Sequence, residues 1–210
     1  MVVREVRRPA PATVSGPPAR YLTQWHALLE KAVIIGPEGA DVYVVEFGDL
    51  QCPACRTFHR TLRQAMATYP NTVAFAFLHF PLPQHPLAVP SAHALECADA
   101  QDAADSFIDV LYAKQDSLGL KDWDSFAIEA NVPEPQRLAD CIADHQPPDR
   151  VTEGQQLGSI LGIQFTPTVL VNGWWFPAPP DSTTLVNAIQ AIVEGRSPFE
   201  NYEVNDAGLR

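Results

Sequence analysis

The spacing of apolar residues changes several times along the chain, and each change marks an element. Leu22, Trp25, Leu28, Leu29 and Ala32 recur at helical intervals, which predicts a short amphipathic helix over 21–32. Val33-Ile34-Ile35, stopped by Gly36-Pro37, reads as a short strand. A longer strand is expected over 41–47, followed by a helix from Pro53 to Tyr69 that Pro70-Asn71 closes. The run 72–80 places Val73, Phe75 and Phe77 on one face and Ala74, Ala76 and Leu78 on the other. A strand apolar on both faces belongs in a sheet covered on both sides, so the fold class is α/β.

The texture changes after Leu82. Pro81, Pro83, Pro86 and Pro90 interrupt the chain, and residues from Ser91 to about Leu161 carry helical stripes such as Phe107, Val110 and Leu111, Phe126 and Ile128, and Leu138, Cys141 and Ile142. No strand pattern breaks that stretch, which predicts a helical domain inserted into the sheet domain. Strand texture returns over 168–171, turns at Asn172-Gly173 and resumes with Trp174-Trp175-Phe176, a β-hairpin signal in which the two tryptophans serve packing. Ser182 or Thr183 is expected to cap a last helix, with Leu185, Ile189, Ile192 and Val193 facing inward and Gly195 ending it.

At 210 residues the chain can bury a sizeable core, and its 46% hydrophobic content is ordinary for a globular protein. A net charge of −11 argues against a nucleic-acid surface. No apolar run approaches the roughly 20 residues that span a bilayer, and the first 20 residues, with four Arg and four Pro, lack the apolar stretch of a signal peptide. Either the protein is cytosolic or a signal or anchor has been removed, and the Pro-rich, basic opening, which suggests an extended linker, suits the second. Four cysteines, an even number, suit an oxidising compartment.

Two of those cysteines carry the chemistry. Cys52-Pro53-Ala54-Cys55 follows the strand 41–47 through Gly48-Asp49 and opens the helix that begins at Pro53. In that setting a Cys-x-x-Cys is a reversible two-electron switch. Pro53 at the first helical position leaves Cys52 at the cap, facing unpaired N–H groups and the positive end of the helix dipole. A thiolate is stabilised there, so Cys52 is the expected nucleophile and Cys55, almost a turn deeper, the resolving thiol. The alternative is a zinc half-site, but closed zinc sites take a second ligand pair, and Cys97 and Cys141 are single, although His93 stands four residues before Cys97.

The strand bearing Glu46, the Cys52-Pro53-Ala54-Cys55 helix, the helical insertion and the Thr166-Pro167 pair before a hairpin together resemble the DsbA-like thiol:disulfide oxidoreductases of the thioredoxin superfamily. Phe80-Pro81-Leu82-Pro83, His85-Pro86 and Ala94-Leu95-Glu96-Cys97-Ala98 add to the resemblance, which spans about Val33 to Gly195. It implies a thioredoxin fold with an inserted α-helical domain. The expected division is a flexible Pro/Arg-rich segment over 1–20, a discontinuous thioredoxin-like domain over 21–83 and 158–196, a helical insertion over 84–157 and a C-terminal tail over 197–210.

The resemblance also implies that Cys52 exchanges with substrate and that Cys55 resolves the mixed disulfide. Pro167 is then a cis-proline whose loop faces the sulfurs, and Thr166 offers backbone groups to an extended substrate peptide. Glu46, the lone charge in 42–47, would relay a proton to or from Cys55, the alternative being a solvent-facing strand-end glutamate. His59 is expected on the helix surface. Cys97 and Cys141 are expected to form a second disulfide inside the insertion, two buried free thiols being the alternative. Pro-Ala between the cysteines, where the best-known oxidant has Pro-His, removes one donor to the thiolate.

The expected function is disulfide exchange with protein or peptide substrates, as a net oxidant, with no cofactor and no metal. The expected setting is periplasmic or otherwise extracytoplasmic, as a monomer with a membrane redox partner and without nucleic acid. A reductase or isomerase driven by a membrane electron partner, and a non-catalytic thioredoxin-like binding module, are the alternatives.

Overall fold

A computed structural model describes residues 18–144 and 148–206. In chain order the elements are β1 (Ala19–Leu22), α1 (His26–Leu29), β2 (Val33–Ile35), β3 (Val42–Gly48), α2 (Pro53–Thr68), β4 (Val73–His79), α3 (Ala88–Asp99), α4 (Ala104–Ala113), a 3-10 turn at Gln115–Ser117, α5 (Trp123–Glu129), α6 (Pro135–Ala143), α7 (Asp149–Ile160), β5 (Thr168–Val171), β6 (Trp174–Trp175), α8 (Ser182–Val193) and β7 (Tyr202–Asn205). The strands form one mixed sheet in the order β2-β4-β3-β5-β6-β1-β7. The α/β class is the one expected from the pattern and the thioredoxin fold the one the resemblance implied, with α3 to α7 between β4 and β5.

Every residue of β4 is buried, as a strand apolar on both faces requires. One face packs Val44, Phe75 and Phe77 under α2, α8 and the helices of the insertion, among them Phe58, Leu62, Phe107 and Leu185. The other packs Val45, Phe47, Ala76 and Leu78 against Leu28, Leu161 and Ile163. α7 approaches this sheet closely because it carries glycine where it meets β4 and its following residue: a Cβ on Gly154 would press into the His79 carbonyl oxygen, and one on Gly158 into the Phe80 ring. The same region is tied by charge. His79 Nε2 bonds Glu96 Oε1 at 2.8 Å, Arg150 Nε donates to Glu96 Oε2 at 2.7 Å, and Arg150 also pairs with Asp99. Burial alone would raise the Glu96 carboxyl, but His79 and Arg150 hold it below the usual carboxylate range.

Register brings the functional ends together. β3 runs parallel to β4 and antiparallel to β5, with Phe47 opposite Thr168 and Gly48 opposite His79. The residues just after β3, just after β4 and just before β5 therefore share one edge of the sheet.

Three elements depart from the pattern. Residues 21–32 do not form one helix: Tyr21 and Leu22 belong to β1, and only His26–Leu29 are helical. Tyr21 pairs with Trp174, their rings 4.6 Å apart, so cross-strand aromatic packing overrides a helical spacing that Leu22 and Trp25 satisfy by being buried anyway. Residues 202–205, expected in a C-terminal tail, pair in parallel with β1 as an edge strand, and Ala19 and Arg20 of the expected flexible segment join the same ladder; residues 1–17 of that segment lie outside the described residues. The last helix is capped by Asp181, whose carboxylate accepts from the Thr184 N–H at 2.7 Å, one position earlier than expected.

Candidate active site

Cys52 is the N-cap of α2, with extended backbone (φ −75°, ψ 122°) and Pro53 as the first helical residue. Its sulfur sits over the N–H groups of Ala54 and Cys55, and its thiol donates to the Thr166 carbonyl at 3.6 Å. The Cys55 thiol, the Thr166 side chain and these backbone donors outweigh partial burial and bring the Cys52 thiol down to about 5. Cys55 is fully buried where Cys52 keeps 6% of its surface. Burial first, then the Cys52 thiolate and Glu46, push the Cys55 thiol well above its ordinary value, only partly offset by the Asp49 N–H, which donates to Cys55 Sγ at 3.4 Å. Both cysteines are free thiols, and Pro53 and Ala54 between them are exposed.

Glu46 lies beneath them, fully buried, two residues before the end of β3 on the face that carries Val44. Gly48 leaves the room it needs, since a Cβ there would come within 2.9 Å of Glu46 Oε1. Neither carboxylate oxygen has a hydrogen-bond partner within bonding distance among the described residues. Burial raises its carboxyl to about 8, with the Cys52 thiolate adding to the rise and the Cys55 thiol opposing it. The Thr166–Pro167 peptide is cis, and Thr166 is buried with its carbonyl turned to Cys52. Beside that loop a hollow of about 380 Å3 is lined by Phe165, Thr168 and Trp175 among others, and Phe165 is half exposed.

The structure thus brings together Cys52, Cys55, Glu46, Thr166 and Pro167. It places Cys97 and Cys141 elsewhere, joined in a disulfide between α3 and α6 with Cα atoms 6.0 Å apart. His59, expected on the helix surface, is buried: its Nε2 meets Asp109 Oδ1 at 2.6 Å and its ring lies 4.7 Å from that of Tyr112. The helices of the insertion cover that face of α2, which the sequence of α2 alone does not reveal.

Three further residues shape the site. Asp49, read as part of a turn, is buried and holds two loops together: it accepts from the Gln51 N–H at 2.8 Å and the Leu82 N–H at 2.9 Å, and meets His85 Nδ1 at 2.7 Å. Gln115, from the insertion, donates to the carbonyls of Leu50 at 2.8 Å and Cys52 at 3.0 Å. Tyr112 is fully buried, its hydroxyl without a partner among the described residues. Burial and the nearby Glu46, Cys55, Asp49 and Cys52 raise it well above the usual phenol value. The Gly48-Asp49 pair at the end of β3, ahead of the first cysteine, is a local signal for Asp49; for Gln115 and Tyr112 no local signal exists.

A family model described as thioredoxin matches residues 29–191. Among solved structures, that of oxidised BdbD from Bacillus subtilis is 23% identical and covers 80% of this chain and 95% of its own, with a TM-score of 0.69. That of alpha-DsbA1 from Wolbachia pipientis is 20% identical, covering 78% and 92%, with a TM-score of 0.66. Among curated proteins, the Na(+)/H(+) antiporter NhaA 3 of Salinispora tropica is 30% identical over 157 residues, 74% of this chain. The match takes in 24% of that antiporter, so the chain spans about a quarter of the length of such relatives. Among the described residues no helix is long and apolar enough to cross a membrane.

Proposed function

The chain belongs to the thioredoxin family, and from that premise we propose that it is a DsbA-like thiol:disulfide oxidoreductase that passes disulfides to protein substrates as a net oxidant. The observation that carries this reading is the split between the two thiols: Cys52 ionises at about 5 while Cys55, 0% exposed, is held protonated. A substrate thiolate attacks Cys52 Sγ and breaks the Cys52–Cys55 bond; the electron pair goes to Cys55 Sγ, which takes a proton from the Glu46 carboxyl. A second substrate thiolate then attacks the substrate sulfur of the mixed disulfide and expels the Cys52 thiolate, a good leaving group because of its low pKa. The products are a substrate disulfide, a Cys52 thiolate and a Cys55 thiol, and Glu46 recovers its proton from solvent. With a carboxyl near 8, Glu46 holds that proton at neutral pH. The cis loop at Thr166-Pro167 gives an extended peptide backbone contacts next to Cys52, and the hollow beside Phe165 gives it apolar contacts beyond that loop.

The lowered Cys52 pKa supports that direction. Against a thioredoxin-like thiol of pKa about 7, a value of about 5 favours the dithiol form by about 2 kcal/mol at pH 7. The potential is therefore expected above thioredoxin's roughly −270 mV but short of the roughly −120 mV of DsbA, as suits a Pro-Ala dipeptide without the histidine donor. Equilibration with glutathione buffers measures it, and a potential at or below about −270 mV would replace the oxidant by the reductase reading. An oxidant that ends each turnover as a dithiol needs re-oxidation, for which we assign a membrane redox partner, with the protein acting as a monomer outside the cytoplasm.

A further inference from the structure

We propose that the Cys97–Cys141 disulfide is the closed state of a redox-gated zinc site, which His93, Cys97 and Cys141 form once that bond is reduced. His93 and Cys97 stand four residues apart on α3 and so project from one face of the helix. Cys141 reaches them from α6, and one donor atom from each of the three residues lies within 4.8 Å of the others. Tetrahedral zinc, with bonds of about 2.3 Å to sulfur and 2.0–2.1 Å to nitrogen, sets its sulfurs about 3.8 Å apart and sulfur to nitrogen about 3.6 Å. Cysteines whose Cα atoms are 6.0 Å apart reach that separation by side-chain rotation, without moving either helix.

The donor set selects the metal. Two thiolates and an imidazole suit a borderline-soft ion such as zinc and offer nothing to calcium or magnesium, which take oxygen ligands. His93 and Cys97 are buried and Cys141 is half-buried, so the cluster has a dry floor and one side open to an incoming ion, where a water completes the four ligands. One buried and one half-buried thiolate sum with one divalent cation to zero charge, which offsets the cost of ionising sulfur there.

The gate is chemical. In the disulfide neither sulfur has a charge to give a metal. A dithiol reductant transfers two electrons and two protons to the bond, itself becoming a disulfide, and leaves Cys97 and Cys141 as thiols; zinc then displaces the two thiol protons. α3 and α6 are thereby held by a covalent bond under oxidising conditions and by a metal under reducing ones. The inference does not depend on the reactions assigned to Cys52 and Cys55.

The test uses the whole chain with Cys52→Ser and Cys55→Ser, which removes the other sulfur pair. The protein is reduced with a phosphine, desalted without oxygen, supplied with zinc and challenged with a chromophoric chelator. The expected result is one equivalent of zinc retained by the reduced protein and none by the oxidised protein. On the same background His93→Ala should bind at least about tenfold more weakly, since even an outer-shell partner is worth 10–100-fold. Its oxidised form, still bridged, reports by thermal melting whether the substitution is tolerated. Cobalt in place of zinc should give thiolate-to-cobalt charge transfer with tetrahedral ligand-field bands. No zinc in the reduced protein, equal retention by the oxidised protein, unchanged affinity in a folded His93→Ala, or cobalt spectra without thiolate bands would each overturn the proposal, the last even if His93→Ala fails to fold.

Discussion

Replacing Glu46 by Gln in the oxidised protein isolates one buried titration, because Cys52 and Cys55 carry no proton there and burial, the main cause of the Glu46 shift, is unchanged. The folded carboxyl, raised to about 8 beside the free thiols, stays above its ordinary 4.5 in the disulfide form because its burial persists, so the unfolded chain binds fewer protons between these values. The contribution of Glu46 is therefore fully present below the unfolded value and is lost as the pH rises through the folded one. Between about pH 5 and pH 8 the wild type should lose about 3–4 kcal/mol relative to Glu46→Gln, all other titrations cancelling in the difference. The amide is as buried and unpaired as the acid, which adds an offset independent of pH. Urea denaturation of both proteins at several pH values measures the gap. A gap that changes by less than about 1 kcal/mol, or with opposite sign, would refute the assignment of a buried protonated carboxyl. In the reduced protein Cys52 works the other way: its lowered pKa gives stability above the unfolded value that is lost as pH falls through about 5. The reduced wild type should accordingly show a flatter profile than the oxidised one, and reduced Glu46→Gln should gain stability with pH.

Other outcomes follow from the same geometry. Cys55→Ser should accumulate stable mixed disulfides with substrates, visible on non-reducing gels, whereas Cys52→Ser should show no exchange; alkylation of Cys55 ahead of Cys52 at mildly acidic pH would reverse their roles. Joint Cys97→Ala and Cys141→Ala, which opens a link of sequence separation 44, should lower unfolding free energy by up to about 4 kcal/mol in denaturant titrations. Arg150→Met should cost about 2 kcal/mol or more by leaving the buried Glu96 carboxylate with His79 alone, again read from denaturation. Gly154→Ala should destabilise by about 1–3 kcal/mol despite alanine's better helix propensity, because the new methyl meets the His79 carbonyl; a higher melting temperature would contradict that packing.

What could be read from the sequence was what local signals encode. The cysteine pair, Pro53 at the helix start, the doubly apolar run of β4 and the Asn172-Gly173 turn are written in adjacent residues, and the sheet and its functional edge follow from them. Residues whose meaning depends on a distant partner were not legible. Gln115 is one polar residue among many in the insertion until the fold sets it against the carbonyls of Leu50 and Cys52, 65 and 63 positions away. His59 looks like helix surface because α2 does not announce that α4 will cover it with Asp109 and Tyr112. β1 was misread for the same reason: the strands it pairs with, β6 and β7, lie more than 150 residues downstream.

The supports of the site leave the Ala54 side chain, between the two sulfurs, without structural duties. Asp49 fixes the approach to Cys52, Gln115 holds the carbonyls of the turn, and the loop at Thr166 faces the sulfur, while the side chains of Pro53 and Ala54 point to solvent. Position 54 is in effect a replaceable cartridge. New side chains can be fitted there to retune the affinity for electrons while the frame stays as it is, so a graded series of redox reagents on one scaffold needs only single substitutions at a position that carries none of the core.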